Sequence, residues 1–278
     1  MILRELVRDT ARRLRSARLH YGHGTANAQD EAAFLVLRGL GLPFDAPADR
    51  RVTPREAARV GRLLQLRLRE RVPVAYLLNE AWLAGQSFYV DRRVIIPRSH
   101  IAFLLKDLGR PKHVLDLCTG SGCLAILAAR AFPRARVDGS DVSAGALAVA
   151  KRNVAMHRLR NRVRLVQSDL MSGLGRRHYD LILCNPPYVT GPAMRALPRE
   201  YGHEPRMALA GGKDGLDLVH RIMHQAYDRL QPNGRLVCEI GDSRKALLRL
   251  FPRTPFGWPS DQVFLLARAD LPRGENVG

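Results

Sequence analysis

His113-Val-Leu-Asp-Leu-Cys-Thr-Gly-Ser-Gly-Cys-Leu-Ala-Ile-Leu-Ala-Ala-Arg-Ala131 is the stretch on which the fold turns. His113–Leu117 reads as an apolar strand, Thr119-Gly-Ser-Gly122 as a tight turn, and Gly122–Ala131 as a helix. Glycines here let the backbone bend sharply and approach a ligand closely. The spacing is not the dinucleotide pattern G-x-G-x-x-G, and the Lys-Ser/Thr of a Walker loop is missing. Alone, the stretch fits either a nucleotide-type site or a plain turn.

The same rhythm continues downstream. Strand candidates are Arg136–Ser140, Arg162–Gln167, Tyr179–Cys184, Arg235–Ile240 and Gln262–Ala267; helical candidates are Ala144–His157, Gly215–Leu230 and Arg244–Leu250. Alternating strands and helices predict an α/β fold, a parallel sheet covered on both faces. Upstream, Leu3, Leu6, Val7 and Leu14 share one helical face, and Ala32–Leu40 follows a start signal at Asn27–Asp30. Thr53, Pro54 and Glu56 form a capping box for a third helix, whose stripe Val60, Leu63, Leu64 and Leu68 faces a core until Pro73 ends it. From Val74 to Pro97 short strand-like pieces follow: Glu80–Leu83, Ser87–Val90 and Val94–Ile96, turned at Gly85 and Asp91-Arg92. The expected organisation is a helical unit over 1–78, a β-hairpin linker over 79–98, an α/β domain over 99–271 and a loose polar tail over 272–278.

Composition sets outer limits. The chain has 278 residues, of which 46% are hydrophobic, enough for a full core. Apolar runs such as Leu181–Cys184 and Leu124–Ala129 are too short to span a bilayer. The N-terminus lacks the charged-then-apolar plan of a signal peptide, so a soluble cytoplasmic protein is expected. Cys118, Cys123, Cys184 and Cys238 form no C-x-x-C pair and have no His at metal-ligand spacing, which suits a reducing compartment without zinc. The formal charge of +19 favours an anionic partner such as nucleic acid. Against that, 40 Arg to 5 Lys is a skew that a GC-rich genome produces by itself. Two local concentrations stand out: Arg4, Arg8, Arg12 and Arg15, and Arg152, Arg158, Arg160, Arg162 and Arg164. Each also reads as a solvated face.

Three features fall at the C-terminal ends of successive strands, where open α/β sheets bind ligands. The first is Asp116 through Gly122, with Asp116 able to pair with an ammonium group. The second is Asp141, about twenty residues further on, where a carboxylate accepts both hydroxyls of a ribose. Asp169, after the next strand, sits where an adenine ring would meet it. Each Asp also reads as a helix cap, and Ser143 is an alternative cap beside Asp141. The third is Asn185-Pro-Pro-Tyr188, directly after Tyr179–Cys184. Two prolines remove amide donors and leave carbonyl acceptors, Asn185 adds an acceptor oxygen, and Tyr188 offers a flat face. That combination suits a planar NH2 group; a Pro-rich turn with a stacked Tyr is the plainer reading.

Asp116–Gly122, Asp141, Asp169 and Asn185–Tyr188 together resemble the class I, Rossmann-like methyltransferases whose N-P-P-Y tetrapeptide handles nitrogen. Glu204-Pro-Arg-Met-Ala-Leu-Ala-Gly-Gly-Lys-Asp-Gly-Leu216 with Arg221-Ile222 is similar to the protein-glutamine branch of that family, not the DNA-adenine branch. Tyr21-Gly-His-Gly-Thr-Ala-Asn27, Val74–Trp82, Tyr89-Val-Asp91 and Pro97-Arg-Ser99 resemble the members acting on ribosomal protein L-three; the sister group acting on release factors lacks the Tyr-Gly-His-Gly stretch. The resemblance runs from about Tyr21 to Leu271. It implies a mixed seven-strand-type sheet, S-adenosyl-L-methionine as cofactor, and a glutamine amide nitrogen of ribosomal protein L-three as acceptor. It implies a substrate-recognition role for residues 1–78. It assigns the cofactor to Asp116, Thr119, Gly120, Ser121, Gly122, Asp141, Asp169 and Asn185, and the substrate amide to Asn185, Pro186, Pro187 and Tyr188, with Asn185, Pro186 and Tyr188 carrying catalysis. Two departures stand out. Phe103 replaces a family Glu, and after Trp258 only Pro259-Ser-Asp261 precedes the last strand, so the final strand pair is expected to be clipped or rerouted. Competing readings are an adenine methyltransferase on nucleic acid, a release-factor glutamine methyltransferase, and a non-catalytic ribosome-assembly factor. With L-three itself basic, the Arg clusters fit ribosomal RNA in an early assembly particle.

Overall fold

The computed structural model describes residues 1–272 of the chain; the expected tail lies outside them from residue 273 on. Three helices come first: α1 (Leu3–Ser16), α2 (Ala28–Gly39) and α3 (Pro54–Glu70). The Asn27 side chain accepts from the amides of Gln29 and Asp30, and Thr53 and Glu56 close the capping box behind Pro54. Leu3, Leu6, Leu14, Leu35, Val60 and Leu64 meet in one apolar cluster, with Leu63 and Leu68 partly buried against it. Arg67 of α3 is 1% exposed, and its guanidinium donates to Glu31 (2.7 Å) and Glu200 (3.1 Å).

Val74–Leu78, at the end of the expected helical unit, forms a short helix, α4, opened by Pro73 and closed by Asn79 in the left-handed region. One expectation for the next segment is corrected. The hairpin then forms as β1 (Ala81–Leu83) against β2 (Gln86–Phe88), but Val94–Ile96 makes no strand. Val94 and Ile96 are buried, yet the Val94 carbonyl accepts the Tyr76 hydroxyl (2.5 Å) and the Ile96 amide donates to Glu204 (2.9 Å). Side chains satisfy this backbone, so no sheet partner is needed.

After α5 (Ile101–Leu104) the elements are β3 (His113–Leu117), α6 (Cys123–Ala131), β4 (Arg136–Asp141), α7 (Ala144–Met156), β5 (Val163–Gln167), β6 (Tyr179–Cys184), α8 (Gly191–Ala196), α9 (Asp217–Arg229), β7 (Leu230–Glu239), α10 (Arg244–Leu250), β8 (Gly257–Ser260) and β9 (Val263–Ala267). The sheet order is β5-β4-β3-β6-β7-β9-β8, parallel except that β9 runs against both neighbours. Alternate residues serve opposite faces. Val114, Leu181, Leu183 and Val237 join Ile126 and Ala128 of α6, whereas Leu115, Ile182, Cys184 and Leu236 join Val219, Ile222 and Met223 of α9. The final strand pair is therefore present rather than clipped; Pro259 and Ser260 belong to β8 itself, and a register shift falls between Gly257 and Ser260. The chain leaves β3 toward β4 and β5, then returns to β6 on the other side of β3. The C-terminal ends of β4, β3 and β6 border that switch, where a ligand crevice is expected.

Candidate active site

β3 is bent back into α6 by a turn with Cys118, Gly120 and Gly122 all at positive φ (54°, 55° and 79°). Asp116 lies beneath this turn, 1% exposed: its Oδ2 accepts from the Thr119 hydroxyl (2.5 Å) and the Ala125 amide (2.9 Å), while its Oδ1 is buried without a partner. Burial outweighs those two bonds and pushes the carboxyl up to about 7. Thr119 and Ser121 are buried too. A Cβ on Gly122 would stand 3.1 Å from the Ala150 Cβ, so the glycine lets α7 close on the turn.

In front of the turn opens a cleft whose lining includes Gly120, Asp141, Ser168, Asp169, Asn185, Pro187 and Met207. Asp141 ends β4, accepting from the Gly120 amide (2.9 Å) through Oδ2 and from the Ser143 amide (2.9 Å) through Oδ1. Burial raises its pKa, and these amides oppose the rise. Asp169 pairs with Arg221 at 2.7 Å on the open side. Of the residues singled out from sequence, Gly120, Asp141, Asp169, Asn185 and Pro187 border this space, whereas Asp116, Thr119, Ser121 and Gly122 are not in its lining.

Asn185 also borders a second cleft, together with Arg98, Pro186, Tyr188, Tyr201 and Leu209. Its Nδ2 donates to the Arg98 carbonyl (3.1 Å). A carbonyl can only accept, so the amide nitrogen faces Arg98 and the side-chain oxygen is turned away from it. Burial raises the Tyr188 hydroxyl's pKa, with Glu239 adding to the rise. The tetrapeptide is clasped by the segment after it: Val189 donates to the Leu209 carbonyl and Gly211 donates back to Val189, both at 2.9 Å. Glycine is required at that contact, because a Cβ at Gly211 would reach 2.6 Å from the Tyr188 Cα and one at Gly241 2.7 Å from its ring.

Asn185 thus stands between two adjoining cavities. Residues 100–198 match the Methyltransferase small domain family. The ribosomal protein uL3 glutamine methyltransferase of Bordetella pertussis is 51% identical, spanning 97% of this chain and 96% of that protein. Its counterpart in Burkholderia pseudomallei is 47% identical, spanning 97% and 95%. The chain belongs to the ribosomal protein uL3 glutamine methyltransferase family. A solved structure of the hMettl16 catalytic domain in complex with a MAT2A 3′UTR hairpin shares the class I, Rossmann-like fold at a TM-score of 0.50 and 18% identity, covering 84% of this chain and 88% of that one.

In this member of the uL3 glutamine methyltransferase family, several residues around the site escape sequence reasoning. Asn153 of α7 is fully buried and ties the turn to the hairpin segment, donating to the carbonyls of Ser121 (2.8 Å) and Tyr89 (2.9 Å) and accepting from the Tyr89 amide (2.7 Å). A lone Asn within an apolar helix stripe is the one signal that pointed to it. Arg98 and Glu204 form a bidentate pair with both distances at 2.6 Å, and Ser99 donates to the buried Glu239 (2.6 Å). Phe103 is 60% exposed on α5 and lines neither cavity. The four cysteines are free thiols. Among the described residues, no group of three or more His, Cys, Asp or Glu could hold a metal ion, and no helix is long and apolar enough to cross a membrane.

Proposed function

We propose that this chain methylates the side-chain amide nitrogen of a glutamine in ribosomal protein uL3, using S-adenosyl-L-methionine. The observation that carries the reading is Asn185, shared by the two cavities with its amide nitrogen held by the Arg98 carbonyl. The residues present fit the cofactor: a glycine turn that admits close approach, a carboxylate at the end of β4, and the unpartnered Asp116 Oδ1 behind the turn. When bound, S-adenosyl-L-methionine supplies an electrophilic methyl. Asp141 would hold the ribose hydroxyls, Asp169 would meet the adenine, and Asp116, Thr119, Ser121 and Gly122 would shape and neutralise the methionine end.

The chain's own task is alignment, since a glutamine nitrogen shares its lone pair with its carbonyl. Asn185 Oδ1 and the Pro186 carbonyl accept the two amide hydrogens and favour positive charge gathering on nitrogen. Tyr188 lies against the amide plane, and Pro187 closes the side toward the cofactor. The proton released after transfer leaves to water, so no histidine acts as base. Purified enzyme given uL3 and S-adenosyl-L-methionine should place one methyl on one glutamine, read by tandem mass spectrometry. Asn185→Ala should abolish that turnover while the affinity for S-adenosylhomocysteine stays within about threefold of wild type, because the bonds lost are those to the substrate amide and to the Arg98 carbonyl. Wild-type turnover in the variant would overturn the role of Asn185.

The helical unit over 1–78 serves substrate recognition in this reading, and the enzyme works in the cytoplasm on an early assembly particle. Arg4, Arg8, Arg12 and Arg15 are all exposed on α1, facing outward for ribosomal RNA. In the second Arg cluster, Arg162 donates to the Phe132 carbonyl and Arg164 is spent on Asp138, so α1 is the better surface. Methylation of free uL3 that ignores both salt and added RNA would remove the RNA contact from the account.

A further inference from the structure

The Asn185 amide can act as an acceptor only if its oxygen, not its nitrogen, faces the second cavity. The Arg98 carbonyl imposes that choice by taking an Nδ2 hydrogen at 3.1 Å. What fixes that carbonyl is a buried carboxylate 106 residues away in sequence. Glu204, 5% exposed, accepts from the Ile96 amide (2.9 Å) and from both Arg98 Nη atoms (2.6 Å each), while Arg98 Nη1 also reaches the Ile96 carbonyl (3.1 Å). Residues 96–98 are therefore clamped by backbone and side chain to one carboxylate. Just beyond them, Glu239 takes the Ser99 hydroxyl (2.6 Å) and the His100 amide (3.0 Å), so the loop is pinned on both sides of the Arg98 carbonyl.

We infer that Glu204 and Arg98 are positioning residues that set the rotamer and flip of the Asn185 amide, and with it the acceptor geometry offered to the substrate amide. The guanidinium borders the substrate cavity with its charge already matched by Glu204, so it holds the loop without offering an uncompensated cation to a neutral glutamine. The same clamp reaches the helical unit. Tyr201, three residues before Glu204, packs on the His23 ring (centroids 4.5 Å apart) and lies under the Arg98 guanidinium (5.4 Å), and Glu200 takes the His20 amide (3.1 Å) and Arg67 (3.1 Å). A segment contacting the helical unit at one end thus orients the acceptor at the other.

This inference rests on the glutamine reading for its kinetic part but not for its geometric part. The test uses full-length enzyme labelled with 15N-asparagine, the Asn185 side-chain resonances being assigned by their loss in Asn185→Ser. In Arg98→Lys and Glu204→Gln, those NH2 resonances should shift and exchange faster with solvent, while the Asn153 amide, bonded elsewhere, stays put as a folding control. Turnover on uL3 should fall on the order of 10²-fold, the scale expected from a misplaced reacting group, with the KM for S-adenosyl-L-methionine within about twofold. Unchanged Asn185 resonances in both folded variants would overturn the inference whatever the kinetics. So would shifted resonances with wild-type turnover. Absence of any uL3 methylation by wild-type enzyme would instead overturn the substrate reading and leave the resonance test standing.

Discussion

Asn185, Asp116 and Gly241 show how much of this site depends on single atoms. Asp116 keeps a carboxyl in a dry place with one oxygen unpartnered, and its pKa stands at about 7 against an ordinary value near 3.9. Because the folded value is the higher one, its contribution to stability is fully present below about pH 3.9 and is lost as pH rises through 7. Asp116→Asn removes that dependence while one amide oxygen can still accept from Thr119 and Ala125. Thermal melts from pH 4 to 8 should show wild type losing on the order of a few kcal/mol relative to the variant as pH rises. Parallel profiles would contradict this. On the proposed role of Asp116 beside the cofactor's ammonium group, the variant should also bind S-adenosyl-L-methionine at least about tenfold more weakly at pH 8, where the wild-type carboxyl is ionised. At Gly241, where φ is 52°, an added Cβ would lie 2.7 Å from the Tyr188 ring. Gly241→Ala should lower turnover on the order of 10²-fold by moving that ring, with cofactor affinity retained; unchanged turnover would show that the ring position is not needed.

Elements with a local signature were legible in the sequence. α3 carries its capping box, β3 and β6 are short apolar runs ended by Asp116-to-Gly122 and Asn185-to-Tyr188, and all sit where the pattern put them. Asn185-Pro-Pro-Tyr188 stands out for the same reason: an amide, two prolines and a ring lie in four consecutive residues, at the end of β6. What was not legible depends on distant partners. Val94–Ile96 looks like a strand by composition, but Tyr76 and Glu204 supply its hydrogen bonds from far along the chain. The Arg98–Glu204 pair and the Gly211 and Gly241 contacts on Tyr188 likewise have no local pattern. Burial of Arg67 was hidden in an amphipathic stripe of arginines. Its loss is a clear element-scale prediction. Arg67→Met strands Glu31 and Glu200 without their common cation, and should cost about 3–5 kcal/mol in denaturant unfolding. A loss under about 1 kcal/mol would mean that Arg71, 3.6 Å from Glu200, replaces it.

At the scale of the whole molecule, the helical unit and the α/β sheet meet through Glu200, Tyr201 and Glu204, a short stretch that touches His20, His23 and Arg67 on one side and borders the cavity beside Tyr188 on the other. This arrangement suits a large acceptor whose glutamine must be delivered to Asn185 while its bulk rests elsewhere. A formal charge of +19, with the arginine face of α1 pointing outward, fits delivery from a particle rich in RNA better than from a free basic protein. Methylation of one uL3 glutamine is read by mass spectrometry of ribosomal proteins from cells with and without this gene. A single glutamine of uL3 should lose its methyl when the gene is absent and regain it with the wild-type gene but not with Asn185→Ala. An unchanged uL3, with the missing methyl found on a release factor or an adenine, would contradict this assignment.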